Sequence, residues 1–138
     1  MKTSKTELIV RAADVDQWRV VYFANYFRFF GVAIEDFFRS LQPEEALRIV
    51  REQKLNFPAV EAHCEYKSPA RLWDVLELVV SVGEVRDKSI KFEITINRKG
   101  DGKLIAKGYL TVVTVDENWK PISIPKELLK ILSMHSNV

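Results

Sequence analysis

The hydrophobic and polar positions along the chain first predict one long helix, which begins at Asn25 and ends near Leu41. Asn25 is the expected N-cap, because its side-chain oxygen can accept a hydrogen bond from a first-turn N–H group. Small and polar residues cover about 140° of the helix circumference. The remaining apolar face carries Tyr26, Phe27, Phe29, Phe30, Ala33, Ile34, Phe37, Phe38 and Leu41. A face this wide needs more than one flat layer to cover it, so we expect a central helix held in a curved sheet.

Alternation of apolar and polar side chains, the period of a half-buried strand, predicts that sheet. Five strands are expected, over residues 7–12, 60–67, 74–83, 90–97 and 104–115. The strand 60–67 alternates clearly and is expected to be half-exposed. The turn 99–103 joins the last two strands into a hairpin, since its glycines tolerate positive φ. Gly108, inside the last strand, indicates a bend or a close backbone approach.

Two shorter helices complete the predicted elements. Pro43 is expected at the first position of a helix that ends near Gln53, and Pro125 opens a last helix that continues to about Leu132. The tail 133–138 has little to pack against and is expected to fray. The order of strand, long helix and four antiparallel strands indicates an α+β domain, with helices on one side of a meandering sheet. No repeat or linker is visible, so one domain over residues 1–138 is expected.

Length, composition and charge restrict the classes of protein that fit. The chain has 138 residues with 47% hydrophobic content, enough for one compact core. Its net charge of +2 is spread over the sequence, so no nucleic-acid footprint is visible. No apolar run has the length of a membrane span or of a signal peptide, and the single cysteine excludes an intrachain disulfide. These features indicate a cytoplasmic protein without a membrane partner.

Three segments resemble one known family, and they follow in the same order along the chain. Residues 14–30, DVDQWRVVYFANYFRFF, resemble the signature D-x-D-x-x-G-x-V-x-x-x-N-Y-x-x-[FW] of hot-dog-fold acyl-CoA thioesterases of the 4-hydroxybenzoyl-CoA thioesterase type. Residues 66–74, YKSPARLWD, resemble that family's Y-x-x-P-A-x-x-x-D, and residues 105–108 with Pro121 and Pro125 are similar to its C-terminal part. The resemblance implies a hot-dog fold, in which a five-stranded antiparallel sheet wraps the long helix. It also implies a homodimer with sheets joined edge to edge, often paired again into a homotetramer.

The resemblance also implies the parts of a catalytic site. Asp16 matches the catalytic carboxylate, acting as nucleophile or as general base for water, and the backbone N–H of Phe23 matches the oxyanion donor. First-turn N–H groups suit that role, because the helix dipole favours negative charge there. The residues expected around the substrate pocket are Trp18, Tyr22, Asn25 and Tyr26. Trp18 fits either an acyl pocket or a subunit interface, whereas Asp14 is expected to bond local backbone N–H groups.

The chain departs from the family pattern at three positions. Arg19 stands where the family usually has Gly, and a non-glycine residue at positive φ costs about 1 kcal/mol. Phe23 replaces a His that is common in one branch, and Gly31 replaces a common Glu or Asp. Any role that those side chains have in relatives is therefore absent here.

A basic turn is the expected contact for the phosphates of coenzyme A. Arg86 and Lys88 lie between the third and fourth strands and resemble the turn that holds the nucleotide in the 4-hydroxybenzoyl-CoA group. Because coenzyme A is part of the substrate, no separate cofactor is expected. No Cys, His or Asp spacing resembles a metal site, and neither His63 nor His135 is placed to act in catalysis.

Two hypotheses follow from these residues. The leading one is an acyl-CoA thioesterase that hydrolyses an acyl- or aryl-CoA ester, for which the sequence does not identify the acyl group. The alternative is a non-catalytic hot-dog module that binds acyl-CoA as a sensor or scaffold, which Arg19 and the missing polar side chains favour. A dehydratase or hydratase on the same fold fits less well, because the loop holds no His to pair with Asp16.

Overall fold

A computed structural model describes residues 3–41 and 44–134 of the chain, and its centre is the predicted long helix. This helix, α1, spans Asn25–Ser40 and ends one residue before Leu41. Phe29, Phe30 and Phe37 are fully buried against the sheet. The prediction that Phe27 is also covered is wrong for the single chain, because its ring is exposed.

Asn25 does not cap α1, so this prediction is also wrong. Ala24 occupies the N-cap position and makes no side-chain cap bond. The Asn25 amide turns away from the first helical turn and donates to the backbone oxygen of Asp14 at 2.9 Å. The side chain therefore connects the helix to the preceding loop instead of closing the helix end.

Within the described residues, five antiparallel strands form one sheet, close to the predicted positions. They are β1 Ser4–Ile9, β2 Ala59–Tyr66, β3 Val75–Val85, β4 Ser89–Arg98 and β5 Leu104–Val113. The first strand ends earlier than predicted because Ala12–Asp14 forms a short 3-10 turn. The predicted hairpin of the last two strands is confirmed, and of its two glycines Gly102 takes the positive φ, at 70°.

The strand order is β1-β3-β4-β5-β2, so the predicted meander is right only for β3, β4 and β5. β2 lies beside β5 and forms one edge of the sheet, with β1 at the other edge. The predicted close approach at Gly108 is confirmed at this contact. A Cβ atom on Gly108 would lie 1.9 Å from the backbone oxygen of His63, so only glycine lets the two strands pair here.

The core lies between α1 and the inner faces of the two central strands. Eight alternating residues of β3 and β4 are at most 1% exposed, namely Leu76, Leu78, Val80, Val82, Ile90, Phe92, Ile94 and Ile96. Phe37 of α1 meets Phe92 edge to face, with ring centroids 5.4 Å apart. β2 is different, because Val60 is 63% exposed and Ala62 is exposed as well. The prediction of a half-exposed strand is therefore wrong for β2, which the single chain leaves largely uncovered on both faces.

The two shorter helices are present. The helix α2 spans Glu45–Glu52 and α3 spans Lys126–Ser133, directly after Pro125. The expected first helical position at Pro43 and the tail 135–138, including His135, lie outside the described residues. In the described part of the chain, no helix combines the length and apolar character required to cross a membrane.

Candidate active site

The loop that carries the predicted catalytic carboxylate is fixed at its start by Asp14. This side chain is buried; its Oδ2 accepts the N–H of Arg11 at 2.9 Å, and its Oδ1 pairs with the guanidinium of Arg28. Its backbone oxygen accepts the N–H of Tyr22 at 2.9 Å and the amide of Asn25 at 2.9 Å. Asp14 therefore has the expected structural role, and it also joins the loop to the helix through Arg28.

Asp16 lies two residues further on, half-buried in the loop. Its Oδ1 accepts the N–H of Trp18 at 2.8 Å, and its own N–H donates to the backbone oxygen of Val20 at 3.0 Å. Within residues 3–41 and 44–134, Oδ2 of Asp16 accepts no hydrogen bond. One carboxylate oxygen is thus oriented by the loop, and the other is available to a substrate or a water molecule.

Arg19 has the left-handed backbone conformation, with φ of 66°. The N–H of Arg19 donates to the backbone oxygen of Asp16 at 3.0 Å, which closes the turn around the carboxylate. The left-handed conformation is the one that glycine adopts most readily, so it accounts for the Gly of the family pattern at this position. A non-glycine residue there costs about 1 kcal/mol, and the loop nevertheless closes.

The helix start presents an unused hydrogen-bond donor close to this loop. The backbone oxygen of Tyr22 accepts the N–H of Asn25 at 2.9 Å, and that of Phe23 accepts the hydroxyl of Tyr66 at 2.8 Å. In the part of the chain that the structure describes, the N–H of Phe23 has no hydrogen-bond partner. Phe23 directly precedes the N-cap Ala24, where the helix dipole favours negative charge, so an unpaired N–H there suits an oxyanion.

The residues predicted around the pocket are only partly together. Tyr22 contacts Phe23 with ring centroids 4.8 Å apart, and both rings are exposed. Tyr26 is instead 3% exposed and belongs to the core, where its ring meets Tyr66 edge to face at 4.9 Å. The Trp18 ring is 75% exposed in the single chain. Tyr22 thus lies exposed beside the helix start and Tyr26 is buried beneath it, whereas the backbone N–H of Trp18 forms its hydrogen bond within the loop.

The predicted nucleotide contacts lie at the far end of the sheet from this loop. The β3–β4 turn holds Arg86, whose Nε pairs with Glu84 at 2.7 Å and whose N–H donates to Ser89 at 2.9 Å. A pocket of about 180 Å³ opens beside the turn, lined by Glu61, Glu84, Arg86, Ser89, Lys91 and Thr111. Lys88 directly precedes the lining residue Ser89 and is exposed, but it does not itself line the pocket. Arg86 and Lys88 are therefore not near Asp16 within one chain.

Sequence reasoning missed the roles of Arg28 and Tyr66. Both residues belong to segments that resemble the family. The family pattern assigns no catalytic role to either position, and neither residue type by itself indicates one. Arg28 lies on the polar face of α1 and contacts Asp14 across 14 positions of sequence. Tyr66 reaches Phe23 across 43 positions. No local pattern predicts contacts of this length.

Other groups that could carry chemistry lie elsewhere. His63 stacks on Tyr109 with ring centroids 5.3 Å apart, on the face of β2 opposite to Tyr66. Burial raises the pKa of the Cys64 thiol, as expected for an unreactive thiol. Among the described residues, no three His, Cys, Asp or Glu side chains are grouped closely enough to hold a metal ion.

Comparisons with known proteins identify the family. The profile of the thioesterase-like superfamily matches residues 10–132. The chain belongs to this superfamily. The acyl-CoA thioesterase YbgC of Haemophilus influenzae is 32% identical over 116 residues, which are 83% of this chain and 83% of the relative. A putative esterase of Aquifex aeolicus is 31% identical over 124 residues, or 89% of this chain and 92% of the relative.

A solved structure gives the fold of this thioesterase-like chain independently. A mutant of 4-hydroxybenzoyl-CoA thioesterase, complexed with 4-hydroxybenzoyl-CoA, superimposes with a TM-score of 0.85 at 19% identity. The match covers 96% of this chain and 99% of that one. The predicted hot-dog fold is confirmed, and the predicted thioester hydrolase is confirmed at the level of the family.

Proposed function

We propose that the protein hydrolyses an acyl- or aryl-CoA thioester to the free acid and coenzyme A, with Asp16 as the reacting carboxylate. The observation that carries this proposal is that one closed loop holds two polar groups without a hydrogen-bond partner, one an acceptor and one a donor. Oδ2 of Asp16 and the N–H of Phe23 have no partner in the described part of the chain. Asp14 closes the loop between them through the N–H of Tyr22 at 2.9 Å.

Two routes use these groups. In the first, Asp16 attacks the thioester carbonyl, the CoA thiolate leaves, and water hydrolyses the resulting anhydride. In the second, Asp16 takes a proton from water, which adds to the carbonyl before the thiolate leaves. In both routes the carbonyl oxygen becomes negative, and the N–H of Phe23 stabilises it because a fixed donor needs no reorganisation.

A homodimer through the free edge of β2 completes this proposal. β2 is an edge strand, and an uncovered edge with apolar side chains favours pairing with another strand. Val60 is 63% exposed, Tyr66 47% and Phe23 60%, so the surface beside the edge is apolar as well. A second copy of the chain would cover these side chains. Pairing of two dimers into a homotetramer stays a prediction.

The dimer also gives Arg86 and Lys88 access to the substrate. Within one chain, the 11 residues of β3 separate the β3–β4 turn from the Asp16 loop by about 33 Å. A two-fold axis pairs the β2 strands antiparallel, so the Ala59 end of one strand meets the Tyr66 end of the other. The turn of the second subunit then lies about 15–20 Å from the first subunit's loop, across three to four strand spacings. We therefore assign Arg86 and Lys88 to the phosphates of CoA whose thioester lies at the other subunit's Asp16.

Release of free thiol from a panel of aryl- and alkyl-CoA esters tests the function. We expect hydrolysis of at least one ester by the wild-type protein and a large loss for Asp16→Asn. Hydrolysis that is equal in both proteins would remove Asp16 from the mechanism. Tight binding of the esters without thiol release would instead favour the non-catalytic binding module.

A further inference from the structure

Tyr66 connects the sheet to the start of the central helix. It is the last residue of β2, and its hydroxyl donates to the backbone oxygen of Phe23 at 2.8 Å. Its ring packs edge to face on Tyr26, with centroids 4.9 Å apart and an interplanar angle of 86°. This is a contact between two elements that are 43 positions apart in sequence.

In the described part of the chain, the hydrogen bonds around Phe23 leave two backbone donors without a partner, the N–H of Phe23 and that of Ala24. In the residue before Phe23, the N–H of Tyr22 donates to the backbone oxygen of Asp14, and the oxygen of Tyr22 accepts the N–H of Asn25, each at 2.9 Å. The backbone oxygen of Phe23 itself accepts two hydrogen bonds, one from the Tyr66 hydroxyl and a longer one, at 3.4 Å, from the N–H of Tyr26. The Tyr66 bond is the one among these that a side chain from the sheet supplies. The orientation of the Phe23 backbone therefore depends on β2 as well as on the local turn.

We propose that Tyr66 is a positioning residue, whose hydroxyl holds the Phe23 backbone so that its N–H points to the thioester carbonyl oxygen. The inference rests on the proposed function, because it assigns Tyr66 to the oxyanion donor of that reaction. Tyr66 itself does not touch the reacting atoms. Its contribution is made in the transition state, where the oxyanion needs a fixed donor.

The hydroxyl remains a donor throughout the working range of such an enzyme. Partial burial, together with the neighbouring Cys64, raises the pKa of Tyr66 to about 12. Below that pH the group is protonated and donates its hydrogen to Phe23. A positioning role therefore predicts that loss of the hydroxyl lowers the rate equally at every assay pH, whereas a general acid would change the alkaline limb.

The test compares Tyr66→Phe with Tyr109→Phe. Both variants remove one hydroxyl oxygen from a tyrosine of the β2–β5 region, and Tyr109 bonds Glu61 at 3.1 Å on the outer face of the sheet. For Tyr66→Phe we expect kcat to fall about tenfold with KM within about twofold, because a small misplacement of a donor affects the transition state most. Inhibition by free CoA, which has no thioester carbonyl, should be unchanged. Tyr109→Phe should match the wild type.

The outcomes separate this inference from the proposed function. Circular dichroism and light scattering first establish that both variants keep the fold and mass of the wild type. A Tyr66→Phe rate equal to that of Tyr109→Phe, or a loss seen only in KM or only in the alkaline limb, overturns the positioning role. If that happens while Asp16→Asn is still inactive, the proposed function stands. Absence of thiol release by the wild type would overturn both.

Discussion

Asp14 and Asp16 differ in how many of their carboxylate oxygens are already bonded. Asp14 is 6% exposed and has both oxygens engaged, by Arg11 and Arg28. Asp16 has one oxygen on the N–H of Trp18 at 2.8 Å, and its other oxygen has no partner in the described part of the chain. A buried and fully bonded carboxylate stabilises a loop, whereas an available one can react.

This difference predicts opposite phenotypes for two matched substitutions. Asp16→Asn should keep the fold and lower kcat by at least about a hundredfold, the scale for removal of a positioned acid–base or nucleophilic group. Asp14→Asn should lower the free energy of unfolding by about 1–3 kcal/mol, because it weakens buried hydrogen bonds, with a much smaller loss of kcat. Urea unfolding and thiol release measure both effects. A larger kcat loss for Asp14→Asn would mean that the catalytic Asp has been assigned wrongly.

At the scale of elements, the glycine of α1 and the glycine of β5 differ in whether the structure has space for a side chain at their position. Gly31 lies in the middle of α1, and a Cβ atom there would meet nothing within 4 Å. Gly108 lies in β5, where a Cβ atom would approach the backbone oxygen of His63 to 1.9 Å. The helix tolerates a side chain at Gly31, whereas the strand pairing at Gly108 does not.

Gly31→Ala should therefore stabilise the protein by about 0.5–1 kcal/mol, because alanine has the higher helix propensity and restricts the unfolded chain. Its kcat should stay at the wild-type value. Gly108→Ala should destabilise by about 2 kcal/mol, since the backbones must move apart. Thermal or urea unfolding of the two variants checks the signs. Destabilisation by Gly31→Ala would show that another chain or side chain occupies the space beside it.

At the scale of the whole molecule, the exposed edge at β2 predicts at least a dimer in solution. Ala62→Lys should shift the mass toward the monomer and lower activity, because it places a charge on the side of β2 that also carries Tyr66. His63→Lys is the control, since the adjacent side chain points to the outer face. Light scattering at micromolar concentration measures the mass. A wild-type protein that is active as a monomer would contradict the dimer.

A site shared between two subunits predicts how the basic turn with Arg86 and Lys88 affects the kinetics. The double variant Arg86→Ala with Lys88→Ala should raise KM and leave kcat nearly intact, because the phosphates change little on the way to the transition state. We expect about fivefold in KM for each exposed contact, with a smaller effect at high salt. A substrate with the pantetheine arm but no nucleotide is the control, and both proteins should hydrolyse it alike. Equal impairment on the two substrates would exclude the turn as the nucleotide site.

The sequence alone determined the features that depend on neighbouring residues. The apolar face of the Asn25–Ser40 helix predicted that a sheet covers it, and Phe29, Phe30 and Phe37 are fully buried there, although Phe27 is exposed in the single chain. Alternation predicted five strands, and the structure has five in its described part. The family pattern marked Arg19 as a departure from Gly, and the structure shows the positive φ of 66° there. These properties depend on short-range periodicity and on backbone sterics, so the sequence alone is enough to predict them.

Only the tertiary structure decided how distant segments meet. The strand β2 pairs with β5 at the sheet edge and is largely uncovered on both faces. Alternation within a strand does not specify which strand it pairs with. Asn25 bonds the oxygen of Asp14 instead of capping its helix, because the folded loop brings that acceptor close. The contact between Tyr66 and Phe23 spans 43 positions, and it exists because the last residue of β2 lies beside the start of α1. Local propensity fixes the elements, whereas the closure of the chain fixes which of their polar groups remain free to react.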